Sequence, residues 1–360
     1  MVALASCQTR APMRPIGPAP DVPRDDVDAP RHNVALIIPL TGVDGGIGTS
    51  IANAANLALL DSGDRSIRLL TYDSSGGAAR AAEQAIAAGA ELILGPLLAE
   101  DVRAVSPVAR SANVPVVAFS NDTSVAGNGT YILGFTPGQA IDRVVRFSRG
   151  KGAARFGAMV PTGLYGQRAA QAMLGSVRSS GGQSAGLETF NRSAAAARSA
   201  AVRLNGRGNM DAVLVADGGR MAAVAATALK PGVRLLGTEL WAGDRTLGVT
   251  PRLRGALYAA APDARFTQLV GRYKARYGKT PYRLGSLGYD AMLLTVRTAR
   301  SWPVGRPFPA RNLIDRDGFA GVDGIFRFGR DGTAERMLEV RQVTAGGTVV
   351  VSPAATAFPK

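Results

Sequence analysis

The sequence predicts an α/β chain of two lobes, each a parallel sheet flanked by helices. Three observations carry that prediction. Apolar runs of strand length alternate with helical stretches across Gly-rich turns. The alternation occurs twice, with different contents, along 360 residues, a length that suits two lobes. The reactive inventory is nearly empty: one Cys (Cys7) and one His (His32), both read as lying ahead of the first strand.

The elements follow in order. Leu4-Ala5-Ser6-Cys7 has the small residues that precede a lipidated Cys, so 1–7 is read as the remnant of a lipoprotein signal with Cys7 as the lipidation site. Residues 8–32 carry Pro12, Pro15, Pro18, Pro20, Pro23 and Pro30 among mixed charges and should form an extended tether. Val34 to Leu40 is an uninterrupted apolar run, the pattern of a strand buried on both faces. A Gly-rich loop, Thr41 to Gly48, precedes a helix expected over Ser50–Leu60. Strand Ile67–Tyr72, helix Ala78–Ala88, strand Glu91–Leu94, helix Glu100–Ala112 and strand Val114–Ser120 complete a βαβαβαβ series. Such a series requires parallel strands joined by right-handed crossovers.

The second series reads strand Phe156–Val160, helix Tyr165–Ser180, helix Ala194–Asn205, strand Asp211–Ala216, helix Gly219–Leu229 and strand Arg234–Leu236. Two long helices, Ala264–Tyr277 and Gly285–Ala299, come next. A hairpin with an Asp331-Gly332 turn and a last strand over Leu338–Val343 close the chain.

Chemistry is constrained by what is missing. A disulfide within the chain and a Cys/His metal site are both excluded, no cofactor is implied, and no His–Cys catalytic set can be assembled. The Gly-rich loop lacks the third Gly of a dinucleotide fingerprint, that position being Ile51, and no Lys precedes Lys151, which rules out a P-loop. It reads either as a permissive turn or as backbone N–H groups at a helix start facing a ligand. The formal charge is +15, mostly Arg spread along the whole chain. Such a surface suits anionic partners such as lipid or cell-wall polymer. With no zinc-finger, RNA-binding or basic-heptad pattern, nucleic acid is not expected.

Four stretches resemble the type I periplasmic-binding family in its leucine/isoleucine/valine-receptor branch. They are Val34–Gly42; Leu164-Tyr165-Gly166-Gln167 with Gly181-Gly182; Gly237 to Trp241 with Leu253 to Tyr258; and Gly321 to Phe326 with Asp331-Gly332. The resemblance implies a two-lobed clamp with three interlobe crossovers, expected near Phe135–Gly138, Tyr258–Pro262 and Ser301–Gly318. Lobe 1 is then 33–137 with 262–310, and lobe 2 is 138–261 with 318–352. The ligand would sit between them at the strands' C-terminal ends.

Two roles share that fold. A solute receptor working with an ABC transporter permease would hold a small polar ligand. The resemblance then implies Thr41 and Gly42 in the ligand loop, Ser120, Asn121 and Thr123 toward a carboxylate, Tyr165 stacked on the ligand and Glu239 as the acid. The loop Gly95-Pro96-Leu97-Leu98-Ala99-Glu100 instead resembles penicillin-binding-protein activator lipoproteins, because Leu97 and Leu98 supply no donors to a carboxylate. The expectation is therefore a non-catalytic, lipid-anchored periplasmic protein that activates a peptidoglycan synthase, with the solute receptor as the alternative.

Overall fold

The computed structural model describes residues 30–244 and 246–359. Cys7 and nearly all of the expected tether lie outside the described residues.

The first lobe begins β1 (His32–Ile38), α1 (Gly45–Ser62), β2 (Ile67–Asp73), α2 (Ala78–Ala87), β3 (Leu92–Leu94), α3 (Ala99–Ser111), β4 (Val116–Ala118) and β5 (Thr130–Ile132). Strand β1 stops where Pro39 removes the next ladder N–H. Helix α1 starts earlier than the glycines suggested, because Gly45 to Gly48 form its first turn. A Cβ at Gly48 would lie 1.6 Å from the Pro39 carbonyl oxygen, so only glycine lets the helix start so close to the strand end.

The chain then enters the second lobe with α4 (Pro137–Gly150), β6 (Arg155–Pro161), α5 (Leu164–Ser179), β7 (Gln183–Phe190), α6 (Ala194–Asn205), β8 (Ala212–Val215), α7 (Gly219–Ala228), β9 (Arg234–Gly237) and β10 (Leu257–Ala260). It returns with α8 (Ala264–Tyr277) and α9 (Gly285–Ala299), then β11 (Phe319–Gly321), β12 (Gly324–Phe328) and β13 (Ala334–Arg336). It ends in the second lobe with β14 (Glu339–Thr344) and β15 (Gly347–Ser352).

The first sheet is parallel, in the order β2-β1-β3-β4-β5. The second runs β15-β14-β10-β9-β8-β6-β7, parallel apart from β14 and β15. A small antiparallel sheet, β11-β12-β13, sits against the first lobe. In β1, Val34, Leu36 and Ile38 belong to the core shared with α1 and α9, while Ala35 and Ile37 belong to the core under α2 and α3. In β6, Phe156, Ala158 and Val160 face α4 and α5, and Met159 joins the core under α6 and α7. Both sheets are thus covered on two faces, which is why their strands read as continuous apolar runs.

Chain order reverses beside β1 in one sheet and beside β6 in the other, so each lobe has a switch point whose strand C-termini open toward the partner lobe. The lobes are joined at 133–136, 261–263 and 337–338. The third join corrects the expectation of 301–318. Phe319, Val322, Phe326 and Phe328 pack into the first lobe's core, so 318–336 belongs to that lobe and only β14 crosses back to pair with β10. The second crossover is shorter than 258–262, because Tyr258, Ala259 and Ala260 are buried in strand β10. His32 is also corrected: it opens β1, is buried, stacks on Trp302 at 3.5 Å between ring centroids and bonds Glu91 and the Trp302 carbonyl. Its place is structural, away from the cleft.

Candidate ligand cleft

Between the two switch points lies a cavity of about 430 Å³. The first lobe supplies Asp44 just ahead of α1 and Ile47 from its first turn, Leu97 and Leu98 from the loop after β3, and Phe119 and Asn121 from the loop after β4. The second lobe supplies Glu239 and Leu240 from the turn after β9, with Ala260 at the end of β10. Phe135 and Ala261 come from two of the crossovers, and Arg283 from the stretch before α9. The walls are mostly apolar with a few polar groups, the usual make-up of a small-molecule site.

Four sequence-predicted residues line this cavity: Leu97, Leu98, Asn121 and Glu239. The other five stand elsewhere. Thr41 is exposed and donates its hydroxyl to Asp73 Oδ2 at 3.1 Å. The Leu40 N–H foremost holds the Asp73 carboxyl below its ordinary range. Gly42 is exposed at φ +72°, turning the chain into α1. Ser120 is buried and its Oγ accepts the Asp122 N–H at 3.1 Å, so its hydroxyl serves the loop. Thr123 and Ser124 accept hydrogen bonds from Arg168 of α5 at 3.1 and 2.9 Å, and Arg168 also pairs with buried Asp122. That cluster ties the two lobes together outside the cavity.

Tyr165 stands behind Glu239 rather than in the cavity wall. Its Oη donates to Glu239 Oε1 at 2.9 Å and lies 3.0 Å from Thr238 Oγ1. The second carboxylate oxygen, Glu239 Oε2, is buried without a partner among the described residues. Burial pushes the Glu239 carboxyl up to about 7, and burial together with this acid pushes the Tyr165 hydroxyl well above its ordinary range. Glu239 can therefore accept from, or donate to, a polar group entering the cavity.

Sequence reasoning missed Arg283, Phe119, Phe135, Asp44 and Ile47. Phe119 and Ile47 carried a readable signal, since Phe119 directly follows a strand's C-terminal end and Ile47 sits in the first turn of the helix after β1. Arg283 carried none, because one Arg among so many has nothing local to mark it. Among the described residues no group of His, Cys, Asp and Glu is arranged to hold a metal ion, and no helix is long and apolar enough to cross a membrane.

A sequence profile described as periplasmic binding protein matches residues 32–348. The chain belongs to the periplasmic binding protein family. Solved members share its architecture at low identity. A leucine-binding protein LivK of Thermotoga maritima is 21% identical, with a TM-score of 0.67 over 89% of this chain and 98% of that one. A putative branched-chain amino acid ABC transporter protein of Rhodospirillum rubrum is also 21% identical, with a TM-score of 0.76 over 89% of this chain and 100% of that one. A solute-binding protein of an ABC transporter from Rhodopseudomonas palustris, solved with 3,4-dihydroxybenzoic acid, is 18% identical, with a TM-score of 0.70 over 91% and 97% of the two chains. By sequence, an uncharacterised protein of Rickettsia prowazekii is 24% identical over 142 residues, 39% of this chain and 38% of that protein. At these identities the solved periplasmic binding proteins establish the fold, and the cleft residues must speak for the ligand.

Proposed function

We propose that this chain is a non-catalytic, periplasmic solute receptor of an ABC transporter that closes on a small ligand with an apolar body. The observation that carries the reading is the interlobe cavity of about 430 Å³, whose walls come from both lobes at both switch points. A ligand touching both walls favours the closed arrangement by its differential contacts, which is how hinge closure is driven. The solved relatives fit a ligand of this kind: one from Desulfitobacterium hafniense was solved with Leu, and others from Rhodopseudomonas palustris with benzoate and 4-hydroxybenzoate.

The reading as a penicillin-binding-protein activator rested on the Gly95–Glu100 loop, with its Leu97 and Leu98, and on the N-terminal lipobox and tether. Both leucine side chains line the cavity, where they serve an apolar ligand body, so the feature that suggested an outer docking role has an inner one. The activator reading and its peptidoglycan-synthase partner therefore stand second. Lipid anchoring at Cys7 belongs to either reading; metabolic labelling with an alkyne fatty acid should mark the wild type and not Cys7→Ser.

Titration calorimetry of the purified chain against benzoate, hydroxybenzoates, leucine and other small apolar acids tests the receptor. Binding of at least one compound with micromolar or tighter affinity, about −8 kcal/mol, is expected. No binding at millimolar concentration, combined with stimulation of a penicillin-binding protein in a glycan-synthesis assay, would overturn the reading in favour of the activator.

A further inference from the structure

Arg283 is the cationic side chain of the cavity wall, and its surroundings fix it in place. The guanidinium lies 4.0 Å from the Phe266 ring centroid and 5.6 Å from that of Phe135. Its Nη1 donates to buried Asp323 and, at 3.1 Å, to Ser286 Oγ. Both protons of Nη1 are thereby used. Nη2 stands 4.0 Å from Asp263 Oδ1, too far for a hydrogen bond, and neither Nη2 nor Nε bonds an acceptor among the described residues. The Nε and Nη2 protons form the side-on edge of the guanidinium, the edge that takes a carboxylate through two parallel hydrogen bonds. An arginine already clamped by rings and an acid loses little rotamer freedom when that edge is occupied.

Both signs of charge surround it: Asp323 and Asp263 lie beside the guanidinium, and Asp44 shares the cavity wall. Arg283 and Arg336 face Asp323 and Asp290 in the first lobe. Burial, reinforced by Asp323, raises the proton affinity of the Asp290 carboxyl. Arg336 is buried, with Nε and Nη1 unpartnered among the described residues, and cannot itself reach a ligand. Arg283 can. On the second lobe's wall, Glu239 presents the acid whose Oε2 is unpartnered. Leu97, Leu98, Phe119 and Phe135 share the cavity wall and offer no charge.

We infer that Arg283 is the ligand's carboxylate anchor, and that the ligand is a small apolar carboxylic acid carrying a hydrogen-bond donor, directed to Glu239, away from its carboxylate. The inference rests on the receptor reading and supplies what the Leu97–Leu98 loop withholds: the donors come from the stretch before α9 instead. Because Arg283 and Glu239 belong to different lobes, one molecule satisfying both would draw the walls together.

The test uses matched pairs, each acid beside its primary amide: 4-methylpentanoate, 3-phenylpropanoate, 4-hydroxyphenylacetate and leucine. Calorimetry would be run on the wild type, Arg283→Met and Arg283→Lys. The wild type should prefer at least one acid over its amide by about 100-fold, and Arg283→Met should reduce that preference to about threefold or less, with amide affinity kept. Arg283→Lys keeps a charge for Asp323 but loses the two-pronged edge, and should retain the wild-type melting temperature while binding the acid about tenfold more weakly. Full acid preference in Arg283→Met, or undiminished acid binding in Arg283→Lys, would remove Arg283 from the site and leave the receptor standing. A wild type that binds no member of the panel would overturn the anchor, and the receptor falls with it only if the wider solute set and the synthase assay above also go against it.

Discussion

Replacing Glu239 with Gln keeps an acceptor for the Tyr165 hydroxyl and removes the charge that burial opposes. The Glu239 carboxyl stands at about 7 in the folded chain against an ordinary 4.5, so ionising it in place costs about 3 kcal/mol, an upper bound because the side chain is only partly shielded from water. The sign follows from proton counting. Between these two values the unfolded chain has released the proton and the folded chain still holds it. Stability therefore falls as pH rises from about 4.5, and the loss is complete once pH passes about 7. Urea unfolding of the wild type and Glu239→Gln, from about pH 4 to about pH 8.5, isolates this group from the other carboxyls by difference. The two proteins should respond alike at the acid end. The variant should gain on the wild type across the window and lead it by about 2–3 kcal/mol above it. A difference that does not change with pH would show that Glu239 is well solvated, and would remove the orphaned Oε2 as a feature of the cavity.

Arg168→Ala should loosen the tie from α5 to Asp122, Thr123 and Ser124. Asp122 keeps Arg103 at 2.8 Å, so folding should survive. Small-angle scattering of the ligand-free chain should show a larger radius of gyration, and ligand affinity should drop by about tenfold although Arg168 does not line the cavity; unchanged scattering would contradict an interlobe tie. Gly48→Ala and Gly166→Ala each place a Cβ 1.6 Å from a proline carbonyl oxygen, of Pro39 and Pro161 respectively, and should lose about 2–4 kcal/mol in urea unfolding. Gly175→Ala, inside α5 with nothing within 4 Å of the new Cβ, should instead gain about 0.5–1 kcal/mol.

The parts legible in the sequence are those set by neighbours along the chain. Helices α6, α8 and α9 occupy the expected residues, because their apolar spacing and end residues are local properties. The run from Val34 announced a strand covered on both faces before any partner was known, since burial on both sides leaves no room for alternation. Strand β7 escaped notice for the opposite reason: it lies at a sheet edge, only two of its eight residues are buried, and no apolar run marks it. Glu239 could be singled out by position, but not the burial that raises its proton affinity against the opposing hydrogen bond from Tyr165.

Two decisions belonged to the tertiary structure alone. The small sheet β11-β12-β13 joins the first lobe because Phe319, Val322, Phe326 and Phe328 find that core nearest, a preference no spacing in the segment expresses. The pair Leu97-Leu98, taken alone, looked unfit for a carboxylate. Folding brings to the same cavity wall an arginine from nearly two hundred residues further along the chain, two of whose nitrogens make no hydrogen bond among the described residues. Charge complementarity depends on distance in space, and a sequence records only distance along the chain.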